Sequence, residues 1–194
     1  IIKENLPTFD KNISREDLVL LGNAYLQSKQ TEKAREVFNE LVNNPPNKNQ
    51  PDDFALAGVK GLDLLENGEA NFGKSVIKLN DEEHFKRADI YQFNRNFPLA
   101  RLHYESIVKN FPTNQKVPVS IFQIGRGFGQ ERNDQKASEW FEKLVKNFPE
   151  DDLAKDAIYQ SAGALSNLGK TSEAVSRYEK FINENDDADN LERA

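Results

Sequence analysis

The sequence predicts an all-α solenoid of about five helix–turn–helix repeats, and three observations predict it. A helical period runs almost without interruption after Ser14, with no Val/Ile/Thr-rich alternation long enough for a strand. Small residues, rings and prolines recur at fixed offsets along the chain. The chain is also wet: 30% of its 194 residues are charged, 37% are hydrophobic, and its mean hydropathy is −0.75. That balance suits a stack whose units each keep much of their surface in water.

The repeat is read from its offsets. Leu21-Gly22, Tyr25, Ala34, Phe38 and Pro46 form one set, and Ile124-Gly125, Phe128, Ala137, Phe141 and Pro149 repeat its spacing. A third copy holds Ala88, Tyr91, Ala100, Tyr104 and Pro112, and a fourth holds Ala162, Leu165, Ala174 and Tyr178. Ala100, Ala137 and Ala174 stand 37 residues apart, while Ala34 and Ala100 stand 66 apart, which leaves room for one degenerate unit around Phe54 to Leu79. The physical logic is that each small residue lets two antiparallel helices approach, the ring fills the groove beside the contact, and the proline ends the second helix. A lone helix pair of this kind cannot bury its apolar face, so neighbours must stack. Arg87 occupies a position of the third unit where an apolar residue is usual.

The breaks fall at Asn43 to Asp53, Phe111 to Pro118 and Phe148 to Asp152, each a helix stop followed by a new cap. Asp151 and Asp152 are the expected start of the helix after Pro149. Residues 1–13 read as an irregular arm, 14–182 as the solenoid, and 183–194 as an acidic tail or the start of a next element.

These residues resemble the tetratricopeptide repeat family, a helix–turn–helix of ~34 residues. Four units match the family pattern well and one poorly, from about Ser14 to Ile182. At a finer level, the run from Phe122 to Phe128, followed by Trp140-Phe141 and Phe148-Pro149, resembles bacterial envelope solenoids. Among these are the helical domain of soluble lytic transglycosylases and the repeats of envelope-coordination and outer-membrane-assembly lipoproteins. The resemblance implies a protein–protein interaction scaffold or adaptor, a subunit of a larger bacterial complex in the periplasm or cell envelope. The alternative is the non-catalytic helical domain of a lytic transglycosylase, and for the compartment, the cytoplasm.

Composition narrows the chemistry. With a net charge of −6 and no basic stripe, the chain is not expected to bind nucleic acid. No run approaches the ~20 apolar residues of a membrane span. There is no cysteine, so disulfides, thiol nucleophiles and thiolate metal sites are excluded. No catalytic residue, cofactor or metal site is expected. Gly125, Gly127 and Gly129 form G-x-G-x-G, but a helical period runs through them where a phosphate loop needs a strand before and a helix after. Close helix packing is the reading. Glu105-Ser106 matches the first two residues of the catalytic signature of lytic transglycosylases, but the rest is missing and Glu105 falls mid-helix. His84 and His103, the two histidines, lack metal-ligand spacing and read as structural. Asp186, Asp187 and Asp189 lack the glycine and terminal glutamate of a calcium loop. Trp140 is expected in the core, with an anchor on the convex surface as the alternative.

In this family the first helix of each unit lines the concave groove. By register the groove holds Val19, Asn23 and Gln27 in the first unit; Phe85, Asp89 and Gln92 in the third; Phe122, Arg126 and Gln130 in the fourth; and Tyr159, Gly163 and Asn167 in the fifth. Phe85, Asp89, Gln92, Phe122, Arg126 and Tyr159 are the expected partner-binding residues, suited to a peptide or helix docked by aromatic anchors. Phe85, Phe122 and Tyr159 have a competing role as seals within the stack. The family's carboxylate clamp needs a lysine one turn before an asparagine; Val19 precedes Asn23, so that clamp is absent.

Overall fold

The computed structural model describes residues 13–47 and 50–184. The expected arm before Ile13 and the tail beyond Glu184 therefore lie outside the described residues, as do Asp186, Asp187 and Asp189. Among the described residues there are nine helices and no strand. They fall into two compact units, one ending at Phe72 and one starting at Gly73.

The first unit contains α1 (Arg15–Gln27), α2 (Thr31–Asn43) and α3 (Asp53–Asn67). Ser14 caps α1 by accepting from the Asp17 backbone N–H at 3.0 Å, and Asp52 caps α3 by accepting from Ala55 N–H at 2.8 Å. The core is Val37, Phe38, Leu41, Val59 and Leu62, all essentially without exposure. Phe38 shows why small residues are required around it: a methyl at Gly22 would sit 2.6 Å from its ring, and one at Gly61 would sit 2.5 Å away. The degenerate second unit of the sequence keeps its first helix, α3, and beyond Gly68 becomes turns and irregular chain rather than a second helix.

The second unit is three successive helix hairpins: α4 (Asp81–Phe93) with α5 (Phe97–Asn110), α6 (Val117–Gln130) with α7 (Asp134–Asn147), and α8 (Asp152–Asn167) with α9 (Thr171–Glu184). The expected cap is present: Asp151 starts α8, accepting from Leu153 N–H at 3.0 Å. Ala88, Ala100, Ala137, Ala162 and Ala174 are buried where the hairpins cross. Opposite them a ring on the first helix meets a ring 19 residues later on the second. These pairs are Phe85–Tyr104 at 6.0 Å between centroids, Phe122–Phe141 at 5.5 Å and Tyr159–Tyr178 at 5.7 Å.

The tight turn inside each hairpin needs one residue in the left-handed region. Gly169 supplies it in the last hairpin at φ 74°, while Arg132, Arg95 and, in the first unit, Lys29 adopt φ 62°, 59° and 58° despite their side chains.

Three sequence expectations are refined. Of the three glycines of G-x-G-x-G, only Gly125 is pressed by a ring, a Cβ there falling 2.7 Å from Phe141; at Gly127 and Gly129 a Cβ would meet its nearest atom at 3.5 and 3.9 Å. Arg87 does enter the interior, and its guanidinium is accommodated by an i,i+4 bond from Nε to Glu83 at 2.9 Å. Trp140 is half-buried rather than in the core, with the Lys143 ammonium 4.3 Å from its ring centroid.

The two histidines are structural, as expected, and they meet. Both are buried, with Nδ1 to Nδ1 at 3.0 Å. The Leu79 backbone N–H donates to His84 Nε2 at 3.3 Å, so His84 carries its proton on Nδ1 and donates it to His103 Nδ1.

Candidate functional site: the face of the first helices

Within the second unit the hairpins stack unevenly. The first helix α6 packs directly on α4 and on α8, whereas α5, α7 and α9 make no comparable contact with one another. The edge carrying α4, α6 and α8 is therefore the tighter, concave side.

Residues 37 apart line up across this side. One column runs Asp89, Arg126, Gly163, and the next, one turn further on, runs Phe93, Gln130, Asn167. Asp89, Phe93, Arg126, Gln130 and Asn167 are exposed, and Gly163 is half-buried. Asp89 keeps solvent contact yet is crowded by protein atoms, as a concave surface requires. It accepts a 2.6 Å hydrogen bond from the Tyr104 hydroxyl. Burial raises the Asp89 carboxyl above its ordinary range, and the Tyr104 bond offsets only part of that. Burial and the adjacent carboxylate in turn push the Tyr104 phenol far up, so it stays a donor.

Arg126 makes a long 3.4 Å contact with Gln123 Oε1, which leaves most of its planar fork directed at solvent. Gln92 is half-buried in the seam between α4 and α6, where its amide reaches the Gln123 carbonyl at 3.3 Å. At the entrance Lys116 binds Glu82, approaches Asp81 at 3.6 Å and lies 5.8 Å from the half-buried Phe85 ring.

The expected partner-binding residues thus divide. Asp89 and Arg126 stand on the open surface. Phe85 and Tyr159 are half-buried against rings of the second helix, and Phe122, expected on the exposed groove, is 8% exposed and packed on Phe141. The reason is geometric: the position one turn before Asp89 or Arg126 points into the hairpin, where the ring 19 residues later needs a partner. Register reasoning missed Phe93, which is 53% exposed. The signal was present, because 37 residues before Gln130 is Phe93 and not Gln92.

Glu105 lies exposed on α5. Among the described residues no cluster of three or more potential metal ligands occurs, and no helix is long and apolar enough to cross a membrane.

Helix hairpins stacked by small residues and rings, with a concave polar face, define an all-α helical-repeat protein. The tetratricopeptide repeat family pattern matches residues 18–47 and 156–188, ranges that take in most of the hairpins α1–α2 and α8–α9. Such repeats generally mediate protein–protein interaction. Comparison with curated proteins gives no match.

Proposed function

We propose that this chain is a non-catalytic adaptor, a subunit of a larger bacterial complex, which holds a partner protein on the α4–α6–α8 face. The observation that carries the reading is the juxtaposition there of an exposed ring, Phe93, with Asp89 and the outward Arg126 fork. An aromatic anchor beside an arginine has the composition of a binding hot spot, and the fork suits a partner carboxylate. The partner segment is accordingly a protein segment with an apolar side chain near an acidic one. The exposed setting of Glu105 supports the non-catalytic assignment, since a general acid needs a site that shields it from water.

The sequence resemblance to envelope solenoids supports a place in the bacterial periplasm or cell envelope. Affinity capture from fractionated cells, followed by a binary binding measurement, tests both parts. A partner whose binding ignores changes at Phe93 and Arg126 would refute the assigned face, and recovery of the chain in the cytosolic fraction would refute the compartment.

A further inference from the structure

Each hairpin of the second unit sets one residue of the concave face against a ring 15 residues later on its second helix: Asp89 with Tyr104, Arg126 with Phe141, and Gly163 with Tyr178. In the first of these hairpins a carboxylate and a phenol meet, the Tyr104 hydroxyl donating to Asp89 at 2.6 Å. The last hairpin keeps the phenol and lacks the carboxylate. A Cβ built on Gly163 would stand 3.8 Å from the Tyr178 hydroxyl oxygen, with no other atom of a neighbouring helix within 4 Å. Gly163 therefore leaves a notch in the face where Asp89 carries its side chain, and the notch has a phenol at its base.

The Tyr178 hydroxyl has no hydrogen-bond partner among the described residues. No buried side-chain nitrogen or oxygen among them lacks a partner, so this hydroxyl reaches solvent. Burial, with the neighbouring Tyr159 as the lesser cause, raises the Tyr178 phenol above its ordinary value, so it keeps its proton and stays a donor. Asn167, one turn beyond Gly163, is engaged by Asp134 at 3.0 Å. Arg126 stands beside Gly163 in the same column, on the adjoining helix α6, with its fork toward solvent. The groups left for a ligand at the notch are thus a phenol donor and a guanidinium. Both favour an acceptor, and the cation favours a charged one over a neutral carbonyl. The Asp89–Tyr104 bond shows that this architecture seats a carboxylate in the corresponding place.

We infer that the notch at Gly163 receives an acidic side chain of the partner segment, whose carboxylate accepts from the Tyr178 hydroxyl beside the Arg126 guanidinium. This rests on the protein-binding reading above and adds to it the point on the face where the acidic residue is read.

The test is NMR on the full chain, reading the Gly163 amide and the Tyr178 ring, with two blocked decapeptides of alanine and serine that each carry one leucine. At one further position the first has glutamate and the second glutamine. The glutamate peptide is expected to shift both signals saturably and to bind at least about tenfold more tightly than the glutamine peptide, the worth of a hydrogen bond to a charged group. Tyr178→Phe, which copies Phe141 of the preceding hairpin, is expected to remove most of that preference with the fold intact. Gly163→Asp, which copies the Asp89–Tyr104 pair, is expected to fill the notch and abolish the preference, and it serves as the variant should Tyr178→Phe not fold. Equal binding of the two peptides, an unmoved Tyr178 ring, or a preference that survives either variant would each overturn the notch. Equal affinity for a leucine peptide whose only carboxylate is a free C-terminus would overturn the side chain as its occupant. Shifts at Phe93 and Arg126 alike with both peptides would overturn the notch and leave the α4–α6–α8 face standing, whereas no movement on any of the three helices would count against both.

Discussion

Arg15 and Asp52, 37 residues apart, form a two-point fork in the first unit. Nε donates to Oδ2 and a terminal guanidinium nitrogen donates to Oδ1, each at 2.8 Å. The same guanidinium donates to the Asn44 carbonyl at 2.7 Å and the Leu41 carbonyl at 2.9 Å, satisfying the end of α2 while Asp52 caps α3. One ion pair therefore fastens the start of α1 to the α2–α3 connection.

The Asp52 carboxyl makes this fastening sensitive to acid. Partial burial pushes its pKa up, but the bonds from Arg15 and from the Ala55 N–H, together with the Arg15 charge, outweigh this and hold it below the ordinary value. A folded-state pKa below the unfolded one gives stability that is present above pH ~3.9 and lost as pH falls through the folded value. Chemical denaturation at a series of pH values is expected to show that loss, and Asp52→Asn to reduce it. At neutral pH, Asp52→Ala is expected to cost about 1.5–3 kcal/mol.

The three glycines of α6 are expected to respond with opposite signs. Gly125→Ala places a methyl against the Phe141 ring and is expected to destabilise by about 1–3 kcal/mol. Gly127→Ala and Gly129→Ala meet only ordinary contacts and remove backbone freedom from the unfolded chain, so each is expected to stabilise by up to about 1 kcal/mol. Urea midpoints for the three variants check this; equal effects would contradict the packing described.

Arg132 occupies a left-handed turn that its neighbour hairpin fills with Gly169. Arg132→Gly is expected to relieve about 1 kcal/mol of backbone strain, whereas Gly169→Arg is expected to introduce a similar amount. Paired melting curves are the measurement, and a loss of stability in Arg132→Gly would count against the turn geometry.

Asp89 has the opposite linkage to Asp52. Burial raises its carboxyl, with the Tyr104 bond as the lesser, opposing effect. A raised folded pKa contributes stability that is full below pH ~3.9 and lost as pH rises through the folded value. Asp89→Asn keeps an acceptor for Tyr104 and carries no charge. It is expected to be more stable than the parent chain at neutral pH, with the difference closing in acid. A variant less stable at pH 7 would show that the charged hydrogen bond outweighs the burial.

On the concave face, Phe93→Ala with Arg126→Ala is expected to weaken partner binding by at least ~2 kcal/mol with helix content unchanged. Both side chains are exposed, so the pair separates binding from folding. Phe122→Ala should instead lower stability, because its ring is packed on Phe141. Calorimetric titration against the captured partner, together with circular dichroism, distinguishes the two effects.

The sequence by itself determined the helices, their pairing and most of the core. Fixed offsets of small residues and rings survive as a linear signal because a repeat repeats its own packing: Ala100, Ala137 and Ala174 are read off the chain and are buried in the fold. Asp151 as a cap and Gly125 as a close-packing site were legible for the same local reason. Only the tertiary structure decided which way side chains turn at the edge of each helix. One turn separates Phe122, buried on Phe141, from Arg126, open to water, and the difference lies in the ring 19 residues away. The contact of His84 with His103, the exposure of Phe93 and the notch at Gly163 likewise depend on what a neighbouring helix places opposite. Periodicity reports how often a residue type recurs along one helix; it does not report the shape of the surface that the next helix presents to it.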